Sequence, residues 1–239
     1  MNKILVVTVY AGSKKLVEMT ERMLLRLPLC DPRWHGLKSQ ALQVVAVNNG
    51  AERKVGEGLA DKHVNLTENV GFGKAINRAI ELFFDKDTTD VLVLNNDLEF
   101  THPDWLAECM KVRDGKRIIS PFTDNTATSV ARSDGPLNGA SRRCRQVSAF
   151  SWLVPRSAIE MLRKRFGFQL FDPDFFAYGE DDLTAAILRK HVDPRPFIVV
   201  PRAWVRHLKH QTGKELGHHG GMKRNLELLA SKMRTHGLR

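Results

Sequence analysis

Apolar residues recur along this chain with two different periods. Three Val- and Leu-rich runs, ILVVTV (4–9), LQVVAV (42–47) and VLVLNN (91–96), are continuous enough for strands buried on both faces. Between them, KKLVEMTERMLLRL (14–27) and GKAINRAIELFFD (73–85) repeat apolar positions at helical spacing. Strand, helix, strand, helix, strand predicts an α/β domain with a Rossmann-like, mostly parallel central sheet flanked by helices. Polar side chains at the carboxyl ends of such strands overhang the crevice where ligands bind. Asn48, Asn49 and Gly50 leave the second strand at that edge, and Asn95, Asn96 and Asp97 leave the third.

The second half is less regular. SAFSWLVPRSAIEMLRKRFG (148–167) reads as a strand and a helix, with Pro155 near the helix entry and Gly167 after its end. An aromatic and acidic loop, FDPDFFAYGEDD (171–182), precedes a helix over 183–190 and a strand over 197–201. Met222, Leu226, Leu229 and Met233 then recur near helical spacing among basic residues, so 216–239 is expected to be a basic helical segment packing on its own domain. Neither a repeat nor a linker divides the chain, and residues 1–239 are expected to form one domain.

Composition narrows this picture modestly. Hydrophobic residues make up 42% of 239 positions, enough for a substantial core. The 37 Lys and Arg outnumber 27 Asp and Glu, a formal charge of +10 that fits an anionic partner: nucleic acid, an anionic membrane or nucleotide phosphates. Cys30, Cys109 and Cys144 are odd in number and lack CxxC spacing, which argues against a disulfide framework or a zinc site. The N-terminal apolar run is too short for a secretory or membrane-spanning segment, and no later run reaches spanning length, so a cytoplasmic or peripheral protein without a transmembrane segment is expected.

Three features carry candidate chemistry. Asp97, at a strand end, and His207, after a later strand, offer the carboxylate and imidazole that suit Mn²⁺ or Mg²⁺, although an Asp after a strand also serves as a turn former. His210 is a weaker candidate of the same kind. Gly71 and Gly73 open a helix whose free N–H groups suit phosphate, or simply ease the turn. Glu180, Asp181 and Asp182 are either acids favoured at a helix start or the source of a general base.

Read in order, VVAVNNGA (44–51), ENVGFGKAINRAIE (68–81), LNNDLEF (94–100), SAFSWLVPRSAIEML (148–162), FDPDFFAYGEDDL (171–183) and WVRHLKHQT (204–212) resemble the family 2 glycosyltransferases of GT-A fold, especially rhamnosyltransferase-like members. The resemblance implies an inverting glycosyltransferase that uses a nucleotide sugar, with UDP, dTDP or GDP as the carrier. It implies that Asn95, Asn96 and Asp97 replace a DxD-like triplet, with Asp97 holding Mn²⁺ or Mg²⁺ and His207 either completing the metal site or contacting the diphosphate. Asn48, Asn69, Gly71 and Asn77 match the segments lining the nucleotide and sugar. The acidic motif is one residue shorter than the family's, leaving Asp181 as candidate base with Glu180 or Asp182 as fallbacks, and Phe175, Phe176 and Tyr178 as candidates for the acceptor side. The implied acceptor is a lipid-linked or surface glycan. The alternative is DNA carrying hydroxymethyl bases, modified as in a bacteriophage-infected host cytoplasm, for which the arginines of RSDGPLNGASRRCRQ (132–146) are the motivating feature. A nucleotidyltransferase would show a stronger glycine-rich basic loop than VYAGSKK (9–15), and a binding module without catalysis leaves the ordered acidic and glycine motifs unexplained.

Overall fold

The computed structural model describes residues 2–27, 40–123, 139–208 and 222–238. The runs that alternate in the sequence become β1 (Asn2–Tyr10), α1 (Lys14–Arg26), β2 (Gln40–Asn49), α2 (Phe72–Phe83) and β4 (Thr88–Asn95), with a strand β3 (Lys62–Leu66) inserted before α2. These strands are parallel, in the order β3-β2-β1-β4. Ile4 to Val7, Val45 to Val47 and Val91 to Leu94 are fully buried, as helices on both faces of a parallel sheet require. Residues 62–66 escape a hydrophobicity pattern because only Val64 is buried in a strand at the sheet's margin.

The sheet continues through β8 (Ser151–Pro155), β6 (Ile118–Phe122), β9 (Phe197–Trp204) and β7 (Arg142–Cys144). Strand β8 runs antiparallel to both β4 and β6, β9 is parallel to β6, and β7 closes the far margin antiparallel to β9. A separate two-stranded ribbon pairs β5 (Leu98–Glu99) with β10 (Arg206–His207). Helices α3 (Trp105–Lys111), α4 (Arg156–Phe166), α5 (Glu180–His191) and α6 (Met222–Thr235) complete the fold. Pro155 precedes α4 and Gly167 follows it in the left-handed conformation, as the sequence spacing anticipated.

Two boundaries differ from the sequence reading. Helix α5 begins at Glu180, so the three acids form its first turn, where the helix dipole favours negative charge. In α6 the buried side chain of the first turns is Asn225, whereas Leu226 is 57% exposed; Leu228, Leu229 and Met233 pack against the core. The helix packs against α5, and its buried stripe is rotated from the expected one, with Asn225 and Lys232 bonded to the acidic loop. Among the described residues no helix is long and apolar enough to cross a membrane.

Candidate functional site

Strand register brings the first polar groups together. Val9 lies opposite Asn95 and Tyr10 opposite Asn48, so the carboxyl ends of β4, β1 and β2 form one continuous edge. A cavity of about 290 Å³ opens over this edge. Val9, Ala11, Asn49, Asn69, Asn95, Asn96 and Asp97 line it together with Ser148, Ala149, Phe150 and His207, and Phe176, Tyr178, Glu180 and Asp181 complete the lining.

The β5–β10 ribbon brings His207 to Asp97. Leu98 pairs with His207, and the Leu208 N–H donates to the Asp97 carbonyl at 2.9 Å. The imidazole stacks on Phe150 with ring centres 5.4 Å apart, and its Nε2 lies 3.1 Å from Asp97 Oδ1 and 3.4 Å from Asn95 Nδ2. Asp97 Oδ1 is buried and accepts no hydrogen bond, because the approach of the ring nitrogen is not aligned for donation. In the tautomer that leaves Nε2 unprotonated its lone pair accepts from the Asn95 amide, and a cation held by Asp97 Oδ1 and Nε2 would take the place of that contact. Hard oxygen and imidazole donors fit Mn²⁺ or Mg²⁺. Among the described residues no third His, Cys, Asp or Glu joins them, so further ligands would come from water, an amide oxygen or a phosphate. His210 lies outside the described residues.

The acids of the lining are placed by close backbone contact. A Cβ on Gly71, whose φ is +91°, would stand 2.3 Å from the Phe176 carbonyl oxygen, and one on Gly73 would stand 2.9 Å from Phe171 Cβ. These glycines let the loop 171–179 sit directly on the start of α2. Asn77 secures the same loop: its Nδ2 donates to the Phe171 carbonyl at 2.6 Å and its Oδ1 accepts from the Leu170 and Phe171 N–H groups. Tyr178 has a φ of +65°, a strained conformation for a residue with a side chain, and it lies in the cavity wall. From α6, Asn225 Nδ2 donates to the Ala177 carbonyl, and Lys232 bridges Asp172 at 2.9 Å and Asp174.

Glu180 is buried with Oε2 unpartnered. Burial foremost, then the Asp181 charge, raises its pKa to about 8. Asp181 is raised to about 6, again by burial first and then by Asp182, while the Ala149 N–H at 3.2 Å and the Asp182 N–H at 3.0 Å oppose the rise. Both carboxyls are thus pushed up by burial and by the neighbouring acid, so the pair titrates together above the ordinary carboxylate range. Asp182 lies outside the lining and accepts from Gln146 Nε2.

The sequence candidates thus separate. Asn69, Asn95, Asn96, Asp97, His207, Glu180 and Asp181 share the cavity, while Asn48, Gly71, Asn77 and Asp182 do not line it. Asn48 Oδ1 is engaged by the Ala51 N–H at 2.7 Å in the turn after β2. Its neighbour Asn49, on the opposite face of the strand, lines the cavity instead, donating to Asn69 Oδ1 and accepting from the Val70 N–H. Gly71 and Asn77 act on the wall from behind. Phe175 is fully buried, whereas Phe176 and Tyr178 reach the cavity. Ser148, Ala149 and Phe150 are additional lining residues; their place just before a buried strand was the available signal.

No protein-family profile matches the chain, and no curated protein matches it in sequence. Solved structures do resemble it. A mannosyltransferase from Pyrobaculum calidifontis in complex with GDP-Man and Mn²⁺ is 16% identical with a TM-score of 0.58, covering 88% of this chain and 58% of its own. The glucosyl-3-phosphoglycerate synthase from Mycobacterium tuberculosis, with Mn²⁺, UDP-glucose and phosphoglyceric acid, is 15% identical with a TM-score of 0.58 over all of this chain and 81% of its own. The same synthase with phosphoglyceric acid alone gives a TM-score of 0.61 at 14% identity. The chain accordingly spans a little over half of the mannosyltransferase. The chain shares the fold of these two proteins, and at such identities the likeness concerns the fold alone.

Proposed function

We propose that this chain is a metal-dependent glycosyltransferase that moves a sugar from a nucleotide-sugar donor to an acceptor hydroxyl with inversion. The observation that carries the reading is one cavity holding both a buried, unpartnered Asp97 oxygen beside His207 and the buried acid pair Glu180 and Asp181. Asp97 and His207, with Asn95 beside them, would hold Mn²⁺ or Mg²⁺, which neutralises the departing nucleoside diphosphate. Asn49 and Asn69 form the amide wall next to that position, suited to hydroxyls of ribose or sugar. Asp181 takes the acceptor proton: it lines the cavity, its pKa is raised toward working pH by burial, and it is oriented by the Ala149 N–H. Glu180 keeps its proton and donates a hydrogen bond into the cavity, a division of roles set by environment between neighbouring acids. The relation to rhamnosyltransferase-like members belongs to this same reading, as does a cytoplasmic setting.

The test is release of UDP, GDP or dTDP from nucleotide sugars with and without Mn²⁺, using the wild type and Asp97→Asn. Metal-stimulated nucleoside diphosphate that disappears in the variant supports the reading. Pyrophosphate as product would make the chain a nucleotidyltransferase, and no turnover with intact nucleic-acid binding would leave a binding module. The resemblance favours a lipid-linked or surface glycan as acceptor, with peripheral contact to anionic membrane. Hydroxymethylated DNA is the second reading, and the arginine-rich margin of the sheet favours it.

A further inference from the structure

The last strand of the sheet ends in a concentration of arginines that the proposed chemistry leaves unused. Strand β7 pairs only with β9, and among the described residues nothing pairs with its outer edge. Arg142, Arg143 and Arg145 are all exposed there. Arg142 and Arg143 alternate across the edge and straddle it. Among the described residues no carboxylate lies within ion-pair distance of these three. Asp193, which feels Arg143, is already paired with Arg117 and accepts from the Arg195 N–H.

This margin leads toward the acids of the cavity. Arg189 of α5 donates to the Arg145 carbonyl at 3.3 Å, and the next residue, Gln146, reaches Asp182. Asp182 and Arg189 are seven positions apart, so they share a helix face about 10 Å long. Segment 145–146 runs along that face toward the helix start, and the chain then enters the cavity wall as Ser148, Ala149 and Phe150, where Ala149 holds Asp181. Burial lowers the Arg189 pKa, and the neighbouring Arg145 charge lowers it further. Like charges held together at a surface favour an anion between them.

Two anionic partners present themselves, and the geometry separates them. A membrane surface calls for apolar side chains beside the basic ones. The exposed large hydrophobic residues Leu25, Leu82, Phe176, Val192 and Leu226 are dispersed over α1, α2, the acidic loop, the end of α5 and α6. Arg142 to Arg145 extends about 10 Å, enough to face more than one successive phosphate of a single strand. The lining of the cavity at the end of this track includes Tyr178, a ring surface on which a base can stack.

We infer that Arg142, Arg143 and Arg145, with Arg189 behind them, form a track for the phosphate backbone of a nucleic-acid acceptor, aligned so that one nucleotide enters the cavity beside Asp181. The inference deepens the glycosyltransferase reading and rests on it for the acceptor role. Binding itself is tested independently of turnover. The affinity of the full chain for a fluorescent single-stranded oligonucleotide and for a duplex is measured by anisotropy across a salt series, alongside sedimentation with phosphatidylglycerol vesicles.

The triple variant Arg142→Ala, Arg143→Ala, Arg145→Ala is expected to weaken oligonucleotide binding at least tenfold near 0.1 M salt and to reduce the salt slope by about 2 to 3. Each single variant should produce a proportionate part, so the result does not depend on the triple variant folding. Lysine at all three positions should retain most of the affinity, and donor hydrolysis should be unchanged throughout. Unaltered affinity and slope in the variants would overturn the track, as would arginine-dependent binding of vesicles without binding of oligonucleotide. If arginine-dependent binding holds but no sugar nucleotide is turned over, the catalytic reading fails and the track stands as a binding surface.

Discussion

The two walls of the cavity are built by opposite means. Around Asn49 and Asn95 the wall consists of strand ends, whose backbones the ladder between β1, β2 and β4 holds in register. The other wall is a loop, 171–179, pressed onto Gly71 and Gly73, tied by Asn77, and clasped by Asn225 and Lys232. Precision on the first wall is a by-product of the sheet. On the second it requires strain at Tyr178, close backbone contact and bonds from distant segments. A metal site that must hold its geometry suits the first, and a surface that adapts to an acceptor suits the second.

The sharpest break in this comparison is chemical. Asp181→Asn should reduce kcat by about 10²- to 10⁴-fold with little change in donor KM, since it removes a base without touching the strand-end wall. Steady-state kinetics with varied donor checks this, and a wild-type kcat would move the base to a neighbour. Asp97→Asn acts on the other wall and should cost about 10²- to 10³-fold, with loss of Mn²⁺ stimulation as its signature in a metal titration.

Stability probes the two construction methods directly. Gly71→Ala places a Cβ against the Phe176 carbonyl at a positive φ, and should cost about 3 kcal/mol in denaturant unfolding. Gly115→Ala, also at positive φ but in open space, should cost only about 1 kcal/mol. Equal losses would mean that backbone conformation, and not the loop contact, decides the effect. Asn225→Ala should cost less than Gly71→Ala, about 1 kcal/mol, by leaving the Ala177 carbonyl without its donor. Hydrogen exchange should then rise in 172–179 and stay unchanged in β1 and β4.

The acid pair gives a pH-dependent version of the same contrast. Both carboxyls have pKa values raised in the folded state, so their favourable contribution is complete below the ordinary carboxylate range and is lost as pH rises through the folded values, about 6 and about 8. Thermal unfolding of the wild type should therefore shift downward between pH 5 and 9, and Glu180→Gln should reduce that slope. Activity should rise with pH as Asp181 ionises and fall as Glu180 loses its proton, the two limbs belonging to the coupled pair.

Legibility in the sequence followed the same division. Strands β1, β2 and β4, helices α1 and α2 and the strand-end position of Asp97 follow from apolar periodicity and chain order, because a buried parallel strand needs a continuous apolar run and ends where the polar residues begin, whereas the buried strand β6 was not read. Short elements at the sheet margin, β3 and β7, left too little apolar signal to be read. The resemblance, carried by ordered motifs, drew Asn48 and Asn77 into the site, whereas their amides serve a turn and a loop. Sequence by itself determined the α/β architecture and the residue types available for metal and proton chemistry, since period and strand-end polarity are local properties. Tertiary structure alone decided that His207 meets Asp97, that Asn49 replaces Asn48 at the cavity, and that Glu180 and Asp181 titrate above the ordinary carboxylate range. Those outcomes depend on which segments pack together and on how completely water is excluded between them, quantities that no single stretch of the chain contains.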